Sequence, residues 1–207
     1  MNSALIRLVD DDPKVADSLR FFLQAAGYDV VAYSSAPAFL EEDDASRRGC
    51  VVLDVRMPQM SGIECQREMI ARHADLPIVF LSAHADVSLA VSAVQRGASG
   101  FVVKPPKVDA LLGEIEKAVA LHEKRQRMRR ELERIEQQLA QLTPSEFECA
   151  QLIAKGLSNA EIAELLGISE GTVRHRRADI STKLETRNAV EVAELFSWQA
   201  TLKQTLP

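Results

Sequence analysis

An α/β doubly wound sheet of five parallel strands, joined by a long helix to a small all-α domain, is the fold class predicted by this 207-residue sequence. Three observations predict it. Short apolar runs alternate with amphipathic helical segments five times between Ala4 and about residue 120, the pattern of strands laid parallel with helices crossing over them. From Lys107 a helical spacing runs on without a break to Leu142. Beyond Leu142 there are only helix starts, helical spacings and glycine turns.

The elements follow in order. Ala4–Val9 is an apolar strand interrupted only by Arg7, and it ends in Asp10-Asp11-Asp12. Asp12-Pro13 reads as a helix N-cap followed by proline at the first helical position, which leaves Asp10 and Asp11 at the strand's end for another task. The helix shows Val15, Leu19, Phe22 and Leu23 on one face and closes at Gly27. Tyr28–Tyr33 is the second strand, and Phe39 and Leu40 lie in a short helix that ends among acids. The third strand, Cys50–Leu53, is a continuous apolar run of the kind buried on both faces, and Asp54 sits where it ends. Pro58, Ser61 and Gly62 break the chain and start a helix through Glu64, Met69 and Ile70. Pro77–Leu81 is the fourth strand, ending at Ser82, and a helix with Val87, Leu89, Val91 and Val94 closes at Gly97. Gly100–Val103, the fifth strand, ends at Lys104-Pro105-Pro106.

Composition limits the function classes. Nearly half the residues are apolar and 27% are charged, the balance of a soluble globular protein. No apolar run approaches the roughly 20 residues needed to span a bilayer, so no membrane role is expected, and the acidic sequence near the N-terminus comes too early for a signal peptide. Cys50, Cys65 and Cys149 are odd in number and far apart; they suit neither a disulfide framework nor a zinc knuckle, and point to a reducing cytoplasm. His73, His84, His122 and His175 lack ligand spacing and read as surface or local hydrogen-bonding residues. The net charge of −5 gives no hint of nucleic-acid binding, although an average can hide a basic segment.

Asp10, Asp11, Asp54, Ser82 and Lys104 all fall immediately after predicted strands, on the sheet edge where open α/β folds bind ligands. Each alone has an ordinary reading as a cap, a turn residue or a solvated lysine. Together they place carboxylates that repel one another and call for a cation, and hard oxygen ligands suit Mg²⁺. A carboxylate beside that cation can attack phosphorus and form an aspartyl-phosphate, with a hydroxyl and an ammonium holding the phosphoryl oxygens. A phosphatase of the haloacid-dehalogenase type uses similar groups, but it wants a second acid two residues after the nucleophile, where Arg56 stands.

Val9-Asp10-Asp11-Asp12, Val52-Leu53-Asp54-Val55-Arg56-Met57-Pro58, Leu81-Ser82-Ala83 and Phe101-Val102-Val103-Lys104-Pro105 resemble the receiver-domain signature of two-component response regulators. The resemblance implies a flavodoxin-like receiver over residues 1–120. It implies that Asp54 accepts phosphate from a sensor histidine kinase, and that Asp10, Asp11, Asp54 and the backbone carbonyl of Arg56 surround Mg²⁺. Ser82 and Lys104 are expected to contact the phosphoryl group, and Ser82 and Phe101 to act as the switch. The protein is then a phosphoacceptor rather than an enzyme, with at most slow self-dephosphorylation. The resemblance also implies a cis Lys104–Pro105 bond; Pro106 stands where many relatives carry Phe.

In the continuing helix, Leu111, Ala118, Leu121, Met128, Leu132, Ile135, Leu139 and Leu142 follow an alternating three-four spacing, with Arg125 the one intruder. Charged flanks beside such a seam favour a two-helix coiled coil over a solitary linker; residues 121–142 are therefore expected to be a dimerising linker.

Thr143-Pro144-Ser145-Glu146 is a helix start with a capping threonine, an N1 proline and a third-position glutamate. That helix closes at Gly156, Asn159 is expected to cap a second, and after Gly167-Ile168-Ser169 a third runs from Glu170 to Leu184, followed by a last one over about Asn188–Trp198. Two helices across a short glycine turn form a helix-turn-helix, whose second helix enters the major groove. Residues 172–187 carry a net +3 from Arg174, Arg176, Arg177, Lys183 and Arg187 against Asp179 and Glu185. Gly156-Leu157-Ser158-Asn159-Ala160-Glu161-Ile162-Ala163 and Ile168-Ser169-Glu170-Gly171-Thr172-Val173-Arg174 resemble the LuxR-type DNA-binding domain, which assigns residues 143–207 to it. The combination is similar to the NarL/FixJ class. It implies promoter DNA as a partner, with Thr172, Arg174, His175, Arg176, Arg177 and Lys183 as candidate contacts, a homodimer, and RNA polymerase as a further candidate partner. A constitutive DNA binder with a vestigial receiver is the other rival, disfavoured because all five site positions are filled.

Overall fold

The computed structural model describes residues 4–44, 47–83 and 87–206, and of residues 87–90 the backbone alone. His84 lies outside the described residues. Strands β1 (Leu5–Val9), β2 (Asp29–Tyr33), β3 (Gly49–Asp54), β4 (Ile78–Ser82) and β5 (Gly100–Val103) form one parallel sheet in the order β2-β1-β3-β4-β5. Between them run α1 (Pro13–Ala25), α2 (Ala36–Glu42), α3 (Gly62–Ala71) and α4 (Val87–Gln95), and after β5 the long α5 (Val108–Leu139). A helical set follows: α6 (Pro144–Ala154), α7 (Asn159–Leu166), α8 (Glu170–Leu184) and α9 (Ala189–Thr205).

The twofold alternation of a strand sorts β3 between two cores. Cys50 and Val52 pack with Leu19 and Leu23 of α1 and Leu111 and Ile115 of α5. Val51 and Leu53 pack with Phe39 of α2, Met69 of α3 and Ala93 of α4. Both faces of β3 are closed to water, which is why its run Cys50–Leu53 is uniformly apolar. Each fully buried aliphatic side chain contributes about 1.5–3 kcal/mol, so the central strand is held rigidly behind the acid at its tip. Arg7, the one charge inside β1, is also fully buried. Its guanidinium binds the Asp43 carboxylate at 2.9 Å and the carbonyls of Leu5, Arg47 and Asp44.

The chain divides into two compact units at Arg125, and α5 belongs to both. The residues read as a coiled-coil seam have partners within the chain. Leu111, Ile115 and Ala118 lie in the core of the first unit. Ile135, Leu139 and Leu142 are buried with α6–α9, and Met128 and Leu132 pack against the same cluster. The seam expected to meet a second chain is thus largely covered by the chain's own domains. A stripe of that period records that one side of a helix is buried and is silent about what buries it. Arg125, the intruder in the seam, pairs with Asp75 at 3.1 Å.

Two boundaries also differ. Ser158, not Asn159, caps α7, its hydroxyl accepting the Glu161 N–H in a capping box. Helix α9 continues to Thr205, well beyond Trp198, because Leu202 is buried and Lys203 reaches Glu136 at 2.8 Å. Tertiary anchoring, rather than local sequence, sets that end.

Candidate functional site

The register of the sheet builds the site. Val9 pairs with Leu53, Asp54 with Leu81, and Ser82 with Val103. The residues that end four neighbouring strands, Asp10, Asp54, Ser82 and Lys104, therefore fall along one edge. The chain holds them there with backbone bonds: the Lys104 N–H donates to the Ser82 carbonyl at 2.7 Å, and the Val55 N–H to the Leu81 carbonyl at 2.9 Å. Helix α3 begins close beside Asp54, capped by a Ser61–Glu64 capping box. A Cβ on Gly62 would lie 2.2 Å from the Asp54 carbonyl oxygen, so only glycine lets the helix start this near the strand tip. The Lys104–Pro105 peptide is cis, as expected from the resemblance.

Of the five predicted groups, Asp10, Asp54 and Ser82 are buried and Asp11 is exposed. Lys104 Nζ stands 2.6 Å from both Asp10 Oδ2 and Asp54 Oδ1. Asp54 Oδ2 accepts the Arg56 N–H at 3.0 Å, and Asp10 Oδ1 accepts the Asp12 N–H at 3.0 Å. Burial pushes the Asp54 carboxyl above the usual carboxylate range; Lys104 offsets part of this and the neighbouring Asp10 adds to it. The Lys104 ammonium loses hydration by burial, yet its bonds to the two carboxylates outweigh that loss and raise its pKa.

Asp10, Asp11 and Asp54 each offer an oxygen within 4.8 Å of the others. Three hard oxygen donors, one of them open to solvent, fit a hydrated Mg²⁺, which keeps several waters and takes few protein carboxylates. Phe101 pairs with Phe80 across β4–β5 and is half-buried against the core under α2–α4. It also lines a surface cavity with Val103, Pro105 and Ala110.

In the second unit, α7, the turn at Gly167-Ile168-Ser169 and α8 make the helix-turn-helix. Val173, Ile180 and Leu184 anchor α8 in the core, and Ser169 caps it. On the other side Gly171, Arg174, His175, Ala178 and Thr182 form an exposed stripe. Thr172 is exposed as well, Arg176 is half-buried, and His175 Nε2 stands 3.7 Å from Asp179 Oδ2. The remaining two candidates have internal partners. Arg177 Nη2 donates to the Leu157 carbonyl at 2.7 Å, and Lys183 Nζ donates to both Glu146 oxygens, at 2.6 and 2.8 Å. Counting charge missed Ala178, which carries none; its helical spacing from Arg174 was the signal that placed it on the same stripe.

The family described as response regulator receiver domain matches residues 6–116, and the luxR family of bacterial regulatory proteins matches residues 140–196. The transcriptional regulatory protein TdiR of Thauera aromatica is 39% identical, over 88% of this chain and 81% of its own length. The transcriptional regulatory protein FixJ of Bradyrhizobium diazoefficiens is 37% identical over 92% of this chain and 93% of its own. The solved structure of the response regulator StyR covers 94% of this chain and 98% of its own at 39% identity, with a TM-score of 0.84. With a receiver carrying its acidic pocket and a LuxR-type reader in one polypeptide, the chain belongs to the two-component response regulators of the NarL/FixJ class.

Proposed function

We propose that Asp54 is the phosphoacceptor by which a sensor histidine kinase controls promoter binding by this regulator. A carboxylate oxygen of Asp54 attacks the phosphorus of a phosphohistidine. The P–N bond breaks, the imidazole leaves with its electron pair and takes up a proton, and an acyl phosphate forms. Asp10, Asp11, Asp54 and the Arg56 carbonyl are the groups that would hold Mg²⁺, which when bound supplies positive charge to the phosphoryl oxygens. Lys104 supplies a second positive charge, and Ser82 a hydroxyl, to the same oxygens. Ser82 and Phe101 report the phosphate to the rest of the receiver, and water later removes it slowly.

The functional parts are a receiver over 1–120, a connecting helix over 121–142 and a DNA reader over 143–207, with the later part of the connecting helix serving in the reader's core. Thr172, Arg174, His175 and Arg176 meet promoter DNA, while Arg177 and Lys183 hold α8 in place. The regulator works in the cytoplasm as a homodimer, with RNA polymerase as its downstream partner. Among the described residues no helix is long and apolar enough to cross a membrane.

The observation that carries this reading is the bridging of Asp10 and Asp54 by Lys104 at 2.6 Å on the sheet's C-terminal edge. Acetyl phosphate with Mg²⁺ tests it. The wild type should gain one phosphate and bind promoter DNA more tightly, whereas Asp54→Asn should gain neither. Equal labelling of the two proteins would overturn the assignment, and sustained turnover of small phosphate esters would favour a phosphatase instead.

A further inference from the structure

At the opposite end of β3 from Asp54, the strand is gripped by α5 through one buried side chain. Gly49 pairs with Leu5 of β1, while β4 takes up its own pairing only at Val51–Ile78. The Gly49 peptide therefore lies beyond β4's first partner on that side. His122 covers it. The imidazole is 2% exposed, and its Nδ1 stands 3.0 Å from both the N–H and the carbonyl oxygen of Gly49. The fit leaves no latitude, since a Cβ on Gly49 would lie 1.7 Å from the Leu5 carbonyl oxygen and 2.9 Å from Arg7 Nη1.

We propose that His122 is a proton-operated clasp between β3 and α5, closed when the ring is neutral and released when it is protonated. In the neutral tautomer that carries its proton on Nε2, Nδ1 accepts the Gly49 N–H. A protonated Nδ1 turns a donor toward that donor, keeping only the pairing with the carbonyl. The charged groups around the ring come from four places: Arg7 on β1, Asp75 ahead of β4, Arg125 one turn along α5, and the Arg48–Glu123 pair beside Gly49. Burial first, and then Arg7 and Arg125, disfavour the imidazolium; the contact with the Gly49 carbonyl and Asp75 favour it, and the balance lowers the pKa. The ring is thus neutral near neutrality, and acid below the ordinary imidazole range opens the clasp. Because β3 carries Asp54 and α5 runs on into the second unit, opening loosens the helix that leads from the phosphoacceptor's strand to the reader. That consequence for signalling rests on the function proposed above; the clasp itself does not.

Hydrogen exchange on the full-length protein, corrected for intrinsic rates, tests the clasp between about pH 7.5 and about pH 4.5, below the ordinary imidazole range. Wild-type peptides spanning residues 49–52 and 115–125 should exchange about tenfold faster in acid. His122→Gln, which can bond the Gly49 peptide but cannot titrate, should show no acid response. Equal acid loosening in that variant, or none in the wild type, overturns the proposal. Should the variant not fold, ¹⁵N spectra of the wild-type imidazoles decide: a His122 ring that titrates together with the Gly49 amide supports the clasp, and one that does not refutes it. Beryllofluoride-stimulated DNA binding, read at both pH values, forms a separate arm. Its loss in acid by the wild type but not by His122→Gln extends the clasp to signalling. Unaltered stimulation alongside a confirmed exchange response removes the signalling consequence alone. An absence of stimulation at either pH faults the proposed function instead.

Discussion

Lys104 Nζ and Asp54 Oδ1 are 2.6 Å apart although α3, β4, α4 and β5 lie between them in the chain. Because the same ammonium also touches Asp10 at 2.6 Å, it occupies the charge balance that a divalent cation would share. Removing it leaves buried carboxylates facing each other.

Lys104→Met should therefore destabilise the receiver by about 1.5–3 kcal/mol, the range for lost bonds to charged groups. Mg²⁺ should restore more stability to the variant than it adds to the wild type. Thermal midpoints with and without Mg²⁺ check this; equal gains in both proteins would count against a shared acidic pocket.

Asp54→Asn should stabilise the fold at neutral pH while abolishing phosphorylation, a common exchange at functional sites. The sign follows from the raised pKa of Asp54, caused by burial and reinforced by Asp10. A raised acid is harder to ionise in the folded state, so the cost begins as pH rises past the ordinary value of 3.8 and is complete above the raised value. Urea midpoints near neutrality should favour Asn, and the difference should shrink toward about pH 4.

Glu146 binds Lys183 and the Thr143 N–H and hydroxyl, and these partners, Lys183 first, hold its pKa down at about 2. Its contribution to the reader is present above the ordinary value of 4.5 and is lost as pH falls from there toward about 2. Glu146→Gln should flatten that part of the acid-unfolding curve. Lys183→Met should lower stability yet leave the salt dependence of DNA binding nearly unchanged. Arg174→Ala, by contrast, should reduce the salt slope by about 1 if it meets a phosphate. A drop of similar size for Lys183→Met would return that lysine to the DNA surface.

Ile135→Ala tests what covers the seam of α5. Buried in the chain's own helical core, it should lose about 2–5 kcal/mol on truncation, equally at low and high protein concentration. A loss that grows on dilution would instead indicate a second chain over the same stripe.

Much of the site could be read directly. Asp10, Asp54, Ser82 and Lys104 each end a strand with an unambiguous apolar pattern, and parallel strands bring such ends to one edge. The caps at Asp12, Ser61 and Thr143 were equally open to reading, because each rests on contacts within four residues. Arg7 was harder. Its position on β1 was plain, but the Asp43 carboxylate and the carbonyls of Asp44 and Arg47 that receive it lie far along the chain, after α2. His122 read as an incidental histidine for the same reason, since its partner lies on β3.

The amino-acid sequence by itself determined the order of strands and helices, the placing of five polar groups at strand ends, and the helix-turn-helix. Those features follow from hydrophobic period, capping and turn chemistry, all of which act over a few neighbouring residues. Only the tertiary structure decided that α5's apolar stripe is packed against the chain's own cores, that Arg177 and Lys183 bond Leu157 and Glu146, and that His122 closes on Gly49. Each of these depends on which distant surface meets a given side chain, and periodicity along one chain does not encode that partner.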